Sequence, residues 1–142
     1  MLTGSFASGI YGQPRASHDI DFVISPTLGS LNKLLRSLPE EDMATGWKID
    51  FICRKSRPFS VTEFDRRTPQ LLEGQSIFVS SAEDALLSKL EWAKLTESER
   101  QLNDAVGILI IQKDTLDREY VEHWVAALDV GDQWRKAKDV AG

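Results

Sequence analysis

A chain of 142 residues with a formal net charge of -5 and one cysteine is long enough for a single domain with a buried core, and no disulfide can help it fold. That acidity excludes an overall basic field of the kind that holds duplex nucleic acid, so polynucleotide binding would need a local patch. No leader pattern and no run near the ~18 apolar residues of a membrane span occurs, so the expectation is a soluble cytoplasmic protein without a membrane partner, its Cys53 packed at the end of an apolar run.

Residues 1 to 80 read as short β-type runs separated by helical or turn-rich pieces, and residues 81 to 142 as successive amphipathic helices packed on them, within one compact domain. Met1 to Thr3 ends a first strand, Phe6 to Tyr11 forms a short helix, and Asp19 to Ser25 forms a second strand stopped by Pro26. Leu28, Leu31, Leu34, Leu35 and Leu38 give a helical stripe closed by Pro39. Trp47 to Cys53 alternates as a third strand. The basic, proline-containing stretch from Arg54 to Ser60 reads as a loop before a short helix over Val61 to Arg67.

Leu71-Leu72 and Ser76 to Val79, parted by Gly74, read as a hairpin or two short strands. Ser81-Ala82-Glu83-Asp84 and Thr96-Glu97-Ser98-Glu99 fit the capping-box pattern, in which a hydroxyl and a carboxylate satisfy two orphan amides, so two helices start there. The first turns Leu86, Leu87, Leu90 and Ala93 inward; the second turns Leu102, Ala105, Val106, Leu109 and Ile110 inward. A third, from Asp117 to Leu128, buries Tyr120, Val121, Trp124, Val125 and Leu128. Gly131 reads as its stop, and Trp134 anchors a final short helix.

The chemistry starts at His18-Asp19-Ile20-Asp21-Phe22. Residues i and i+2 of a strand share a face, so Asp19 and Asp21 point together while Ile20 and Phe22 point away. Two unit charges roughly 4 Å apart repel by about 4 kcal/mol at an effective dielectric near 20, and a divalent cation reverses that sign. Hard oxygen ligands favour Mg²⁺ held by carboxylates and substrate phosphates. Gly4-Ser5, between strand and helix, lets backbone amides and the Ser5 hydroxyl face a phosphate, although the same pair also makes a plain turn. Asp50 sits in the same apolar-Asp-apolar context on the third strand. If the strands are neighbours, two of the three carboxylates hold paired Mg²⁺ ions and the third serves one ion and takes the proton of an attacking hydroxyl; the alternative is a strand-end cap.

Arg15 is a candidate to neutralise a phosphate or an aspartate, and Lys89 to reach nucleotide phosphates; an ordinary surface position is the rival for each. His18 orients Asp19 or is simply a strand-edge histidine, and His123 is expected at the surface. Arg54, Lys55, Arg57, Arg66 and Arg67 form a basic cluster able to meet an acceptor RNA or protein, or a solvated loop.

Gly4-Ser5, Asp19-x-Asp21 and the later Asp50 together resemble the signature of the polymerase-β-like nucleotidyltransferase superfamily, and most closely its small bacterial members of abortive-infection and toxin-antitoxin type. The strings Gly12-Gln13-Pro14-Arg15-Ala16-Ser17-His18 and Ser81-Ala82-Glu83-Asp84-Ala85-Leu86-Leu87-Ser88-Lys89-Leu90 are also similar to family segments, and the match spans about residues 1 to 95. The resemblance implies that Gly4 and Ser5 hold the triphosphate, that Asp19 and Asp21 bind Mg²⁺, and that Asp50 completes the site. Members usually carry a helix ahead of the first strand and a basic stretch after the Gly-Ser turn; here the first strand starts almost at Met1, and Phe6, Ala7 and Ser8 follow the turn.

The resulting expectation is an α/β (α+β) nucleotidyltransferase core with a small mixed β-sheet and a C-terminal helical tail. Its reaction is Mg²⁺-dependent transfer of a nucleoside monophosphate from a nucleoside triphosphate to a hydroxyl of RNA or protein. The alternative is a catalytically silent binding module, such as half of a toxin-antitoxin pair, and an Asp-x-Asp glycosyltransferase is a third possibility. A homodimer through an exposed first strand stays open.

Overall fold

The computed structural model describes residues 1–37 and 46–142. Strand β1 (Leu2–Thr3) runs directly into helix α1 (Gly4–Tyr11), followed by β2 (Asp19–Ile24), α2 (Leu28–Ser37) and β3 (Lys48–Cys53). Helix α3 (Pro58–Asp65) precedes the hairpin β4 (Thr68–Leu72) and β5 (Gln75–Val79). Helices α4 (Ala82–Thr96), α5 (Glu99–Gln112), α6 (Arg118–Ala127) and α7 (Gly131–Ala141) complete the chain. The expected mixed α/β architecture with a helical tail is what forms.

The five strands lie in the order β3-β2-β1-β5-β4. β1 pairs antiparallel with β2 and parallel with β5, β2 pairs parallel with β3, and β4 with β5 antiparallel across a Glu73-Gly74 turn whose two residues both have positive φ, as a tight two-residue hairpin requires. The two-residue β1 is therefore central. The expectation of an exposed first strand is corrected: β3 and β4 form the edges.

Registered partners share a face, which sorts the sheet chemically. Leu2 stands opposite Phe22 and Val79, and with Ala7 these residues make a small core that Ile20 also joins. Thr3, Asp19, Asp21 and Asp50 take the opposite face. The larger core belongs to the helices: Leu86, Leu87 and Leu90 of α4 pack with Ala105 and Ile108 of α5, Val121 and Val125 of α6, and Trp134 of α7, with Phe59 of α3 enclosed among them.

Local chemistry explains most boundaries and corrects several expectations. Ser81 caps α4, its Oγ accepting from the Asp84 amide, as expected. For α5 the cap is Ser98, two residues later than expected; Thr96 instead closes α4, its hydroxyl donating to the Trp92 carbonyl. Helix α3 starts at Pro58, inside the expected loop, because proline fits the first helical position, where no amide is needed. Gly131 opens α7 rather than stopping α6; the left-handed Asp129, φ 54°, makes that turn. Ile110 and Cys53 are exposed rather than buried. In α2, Leu31 and Leu34 are half-buried while Leu28 and Leu35 face solvent. The expected continuation through Leu38 to Pro39 lies outside the described residues. No helix among the described residues is long and apolar enough to cross a membrane.

Candidate active site

The step from β1 into α1 is made by Gly4 with φ +66°, a left-handed conformation that glycine adopts without strain. A Cβ on Gly4 would stand 2.1 Å from Asp21 Oδ2, so the Asp21 carboxylate rests directly on the Gly-Ser turn. Thr3 is the registered partner of Asp21 on one side and Asp50 on the other, and Asp19 pairs with Lys48. The β-strand periodicity thus sets Asp19, Asp21 and Asp50 on one face, next to the start of α1. Burial, and then the like charges of Asp50 and Asp19, push the Asp21 carboxyl above the usual carboxylate range. The positive charges of Lys89 and Lys48 offset only part of that rise.

Lys48 is the nearest such cation on the strands. Its Nζ lies 2.6 Å from Asp50 Oδ2, in a pair open to solvent on both sides. Among the described residues, no three His, Cys, Asp or Glu side chains are gathered to hold a metal ion. The three aspartates offer the hard oxygen ligands that suit Mg²⁺ and share a face, but they are not drawn together around one point here, and Asp50 is turned toward Lys48.

Arg15 and Lys89 converge from distant parts of the chain on a residue that the sequence did not single out, Asp104. Arg15 Nε lies 3.0 Å from Asp104 Oδ1, and Lys89 Nζ 2.8 Å from Asp104 Oδ2; the Asp104 side chain is only 8% exposed. Arg15 also donates through Nη2 to Ser5 Oγ, and Lys89 donates to Gln101 Oε1. A hydroxyl that accepts from a guanidinium keeps its own proton to donate, so Ser5 is oriented as a donor by Arg15. Burial raises the Asp104 carboxyl, but the hydrogen bonds from Arg15 and Lys89 outweigh it and hold it below the usual range. Burial lowers Lys89, and Asp104 offsets part of that; Asp21 is among the charges that Lys89 feels. A close approach makes this junction possible: a Cβ on Gly12 would meet the backbone N of Ile108 at 2.8 Å, so the chain after α1 lies directly on α5.

Gly4, Ser5, Asp21 and Lys89 line one cleft of about 320 Å³, within the range of small-molecule sites. Arg54, Lys55 and Arg57 also line it, with Glu63 and Trp92. Asp19, Asp50 and Arg15 stand beside this cleft and are not part of its lining. The expected basic cluster divides. Arg57 is held by Glu91 through both nitrogens, the Nη2 bond at 2.6 Å. Arg66 binds Glu83 and the buried Asp84 and stacks 3.8 Å over the Tyr120 ring, and Arg67 packs on Phe64 and Phe78, so these two hold the fold together. Ser81 and Tyr120 also donate to Asp84. His18 is exposed, its ring edge-on to Trp47 at 5.5 Å, and His123 is exposed against Trp124.

Asp104 had a signal in the sequence. It lies in the same helical stripe as Gln101 and Ile108, a carboxylate on an inward face, which is costly without cationic partners. Glu63, Ser88 and Trp92 carried no comparable signal.

No family model matches the chain, and no curated protein matches it. Among solved structures it is similar to the crystal structure of an antigenic nucleotidyltransferase-like protein from Paracoccidioides brasiliensis, with a TM-score of 0.59 and 15% identity over 96% of this chain and 82% of that one. At this identity the likeness speaks for the fold, and the fold is nucleotidyltransferase-like.

Proposed function

We propose that the chain is a Mg²⁺-dependent nucleotidyltransferase that moves a nucleoside monophosphate from a nucleoside triphosphate to a hydroxyl of RNA or protein. The observation that carries this reading is the contact between Asp21 and Gly4. It sets a carboxylate that makes no ion pair among the described residues against a turn whose amides and hydroxyl suit a phosphate, in a cleft of about 320 Å³.

Asp19 and Asp21, with Asp50 once it leaves Lys48, would hold the metal, which supplies charge neutralisation at the phosphates and the leaving oxygens. Gly4 and Ser5 seat the triphosphate, Ser5 donating the proton that Arg15 leaves free. Lys89 lines the same cleft as a positive charge, held by Asp104. Asp50 accepts the proton of the attacking hydroxyl at its carboxylate. Pyrophosphate leaves.

The test is incubation with Mg²⁺, each labelled nucleoside triphosphate, and RNA or the protein itself as acceptor. Label transfer with pyrophosphate release supports the reading; none with any nucleotide and either acceptor overturns it.

One observation favours a second reading, that of a silent binding module of the toxin-antitoxin kind. The Lys48–Asp50 ion pair already engages the third carboxylate. Titration calorimetry with Mg²⁺ and each nucleoside triphosphate separates the two, because a silent module of this kind gives no binding heat.

A further inference from the structure

Arg54 follows Asp50 by four residues on the same backbone. Its amide donates to the Ile24 carbonyl at 2.8 Å, which carries the pairing of β2 with β3 one step past the end of β3. Strand alternation then sets Asp50, Ile52 and Arg54 on one face, and Asp21 and Val23, the registered partners of Asp50 and Ile52, on the same face of β2. Asp21, Val23, Ile52 and Arg54 all line the cleft. At a rise of about 3.3 Å per residue, the Arg54 backbone lies about 13 Å along that face from Asp50.

The Arg54 guanidinium is positioned but not satisfied. Nε reaches Ser25 Oγ at 3.4 Å and Cζ lies 5.8 Å from the centre of the Phe64 ring, while Nη1 is buried and has no hydrogen-bond partner among the described residues. A charged donor buried without an acceptor is costly, and a phosphate oxygen is the acceptor that a guanidinium suits best. Lys55 beside it is exposed and also lines the cleft, and neither residue forms an ion pair among the described residues. The carboxylates of the lining are engaged elsewhere: Glu91 holds Arg57, Glu63 accepts from Ser88, and Asp21 rests on the Gly-Ser turn.

We infer that Arg54, with Lys55, holds a backbone phosphate of the acceptor, so that the acceptor is single-stranded RNA and not a protein. This rests on the nucleotidyltransferase reading and chooses between its two acceptors. The triphosphate of the donor has Gly4, Ser5 and Lys89, whereas Arg54 and Lys55 extend the strand of Asp50, the carboxylate that takes the proton of the attacking hydroxyl. An RNA strand brings a phosphate with every nucleotide behind that hydroxyl; a protein chain brings none. Trp92 lines the same cleft with its side chain 52% exposed, and cations beside an open aromatic face are what hold a single strand without reading its sequence. A net charge of -5 is no obstacle, because a single strand needs only this local patch.

The test offers wild type a labelled nucleoside triphosphate with Mg²⁺ and, as acceptor, a short single-stranded RNA or the protein itself. Binding of the same RNA, fluorescein-labelled, is followed by anisotropy over a range of salt for wild type, R54Q and K55Q. Transfer to RNA is expected. R54Q is expected to weaken RNA binding by about tenfold and K55Q by about threefold, and each to flatten the slope of log affinity against log salt by about 0.7, the share of one phosphate contact on a single strand. Calorimetry is expected to find the nucleoside triphosphate bound by R54Q within about twofold of wild type. Should R54Q fail to melt as a folded protein, K55Q, at an exposed position, carries the decision. Transfer to protein and not to RNA, an unchanged RNA affinity and salt slope in the deciding variant, or a loss of nucleotide affinity as large as the loss for RNA overturns the inference and leaves the catalytic reading standing. Absence of transfer to either acceptor overturns both.

Discussion

Arg15 and Asp104 lie 89 residues apart and meet at 3.0 Å, where Asp104 also binds Lys89. One helical carboxylate therefore fixes two cations from distant parts of the chain and, through Arg15, the Ser5 hydroxyl. D104N leaves Lys89 buried beside a neutral amide. Breaking a buried pair by removing one partner costs about 3 kcal/mol, and urea denaturation is expected to show a loss of that size. The double variant D104N/K89M is expected to recover a substantial part of it, since the orphaned cation is gone.

Gly4 has no room for a side chain. G4A places a methyl group where the Asp21 carboxylate stands and forces alanine into a left-handed conformation that costs about 1–2 kcal/mol by itself. A lowered melting temperature together with loss of nucleotide heat in calorimetry is the expected result.

Glu63 makes stability depend on pH. Its folded carboxyl titrates at about 7 against an ordinary 4.5, so between those values the folded state binds more protons than the unfolded state, and stability falls as pH rises through this window. The difference corresponds to about 3 kcal/mol of cost above pH 7. E63Q removes the charge. It is expected to melt several degrees above wild type at pH 8 and at nearly the same temperature at pH 4.5.

The face shared by the three aspartates was legible because strand periodicity is exact at short range: Asp19 and Asp21 follow from one strand, and Asp50 needed only the guess that β2 and β3 are neighbours. The Gly-Ser turn, the hairpin at Gly74 and the inward faces of α4 and α6 were legible for the same local reason. Asp104 shows in the sequence only as a carboxylate on an inward helical stripe; its role was not legible, because that depends on Arg15 and Lys89, and no local rule joins segments that far apart. The basic residues from Arg54 to Arg67 look alike in sequence and differ only in partners: Glu91 for Arg57, Glu83 and Asp84 for Arg66. The leucine stripe of α2 revealed an apolar face but not its degree of burial. Ser98 and Thr96 both offered a cap to α5, and only the way α4 ends decides between them.

Lys48 holds Asp50 in an exposed ion pair, which contributes little to stability. K48A is expected to leave the melting temperature unchanged. If Asp50 serves the metal, freeing it is also expected to tighten Mg²⁺ binding in the presence of nucleotide, measured as a lower half-saturating Mg²⁺ concentration.

The central claim is that Asp21, pressed against Gly4 and repelled by Asp50 and Asp19, is completed by a metal-bound nucleotide. The most direct measurement compares Mg²⁺-dependent pyrophosphate release by wild type and D21N, with a thermal melt of each. The predicted result is release by wild type and none by D21N, with the variant melting at the same or a higher temperature because like-charge repulsion is relieved. Equal release by the two proteins would contradict the claim.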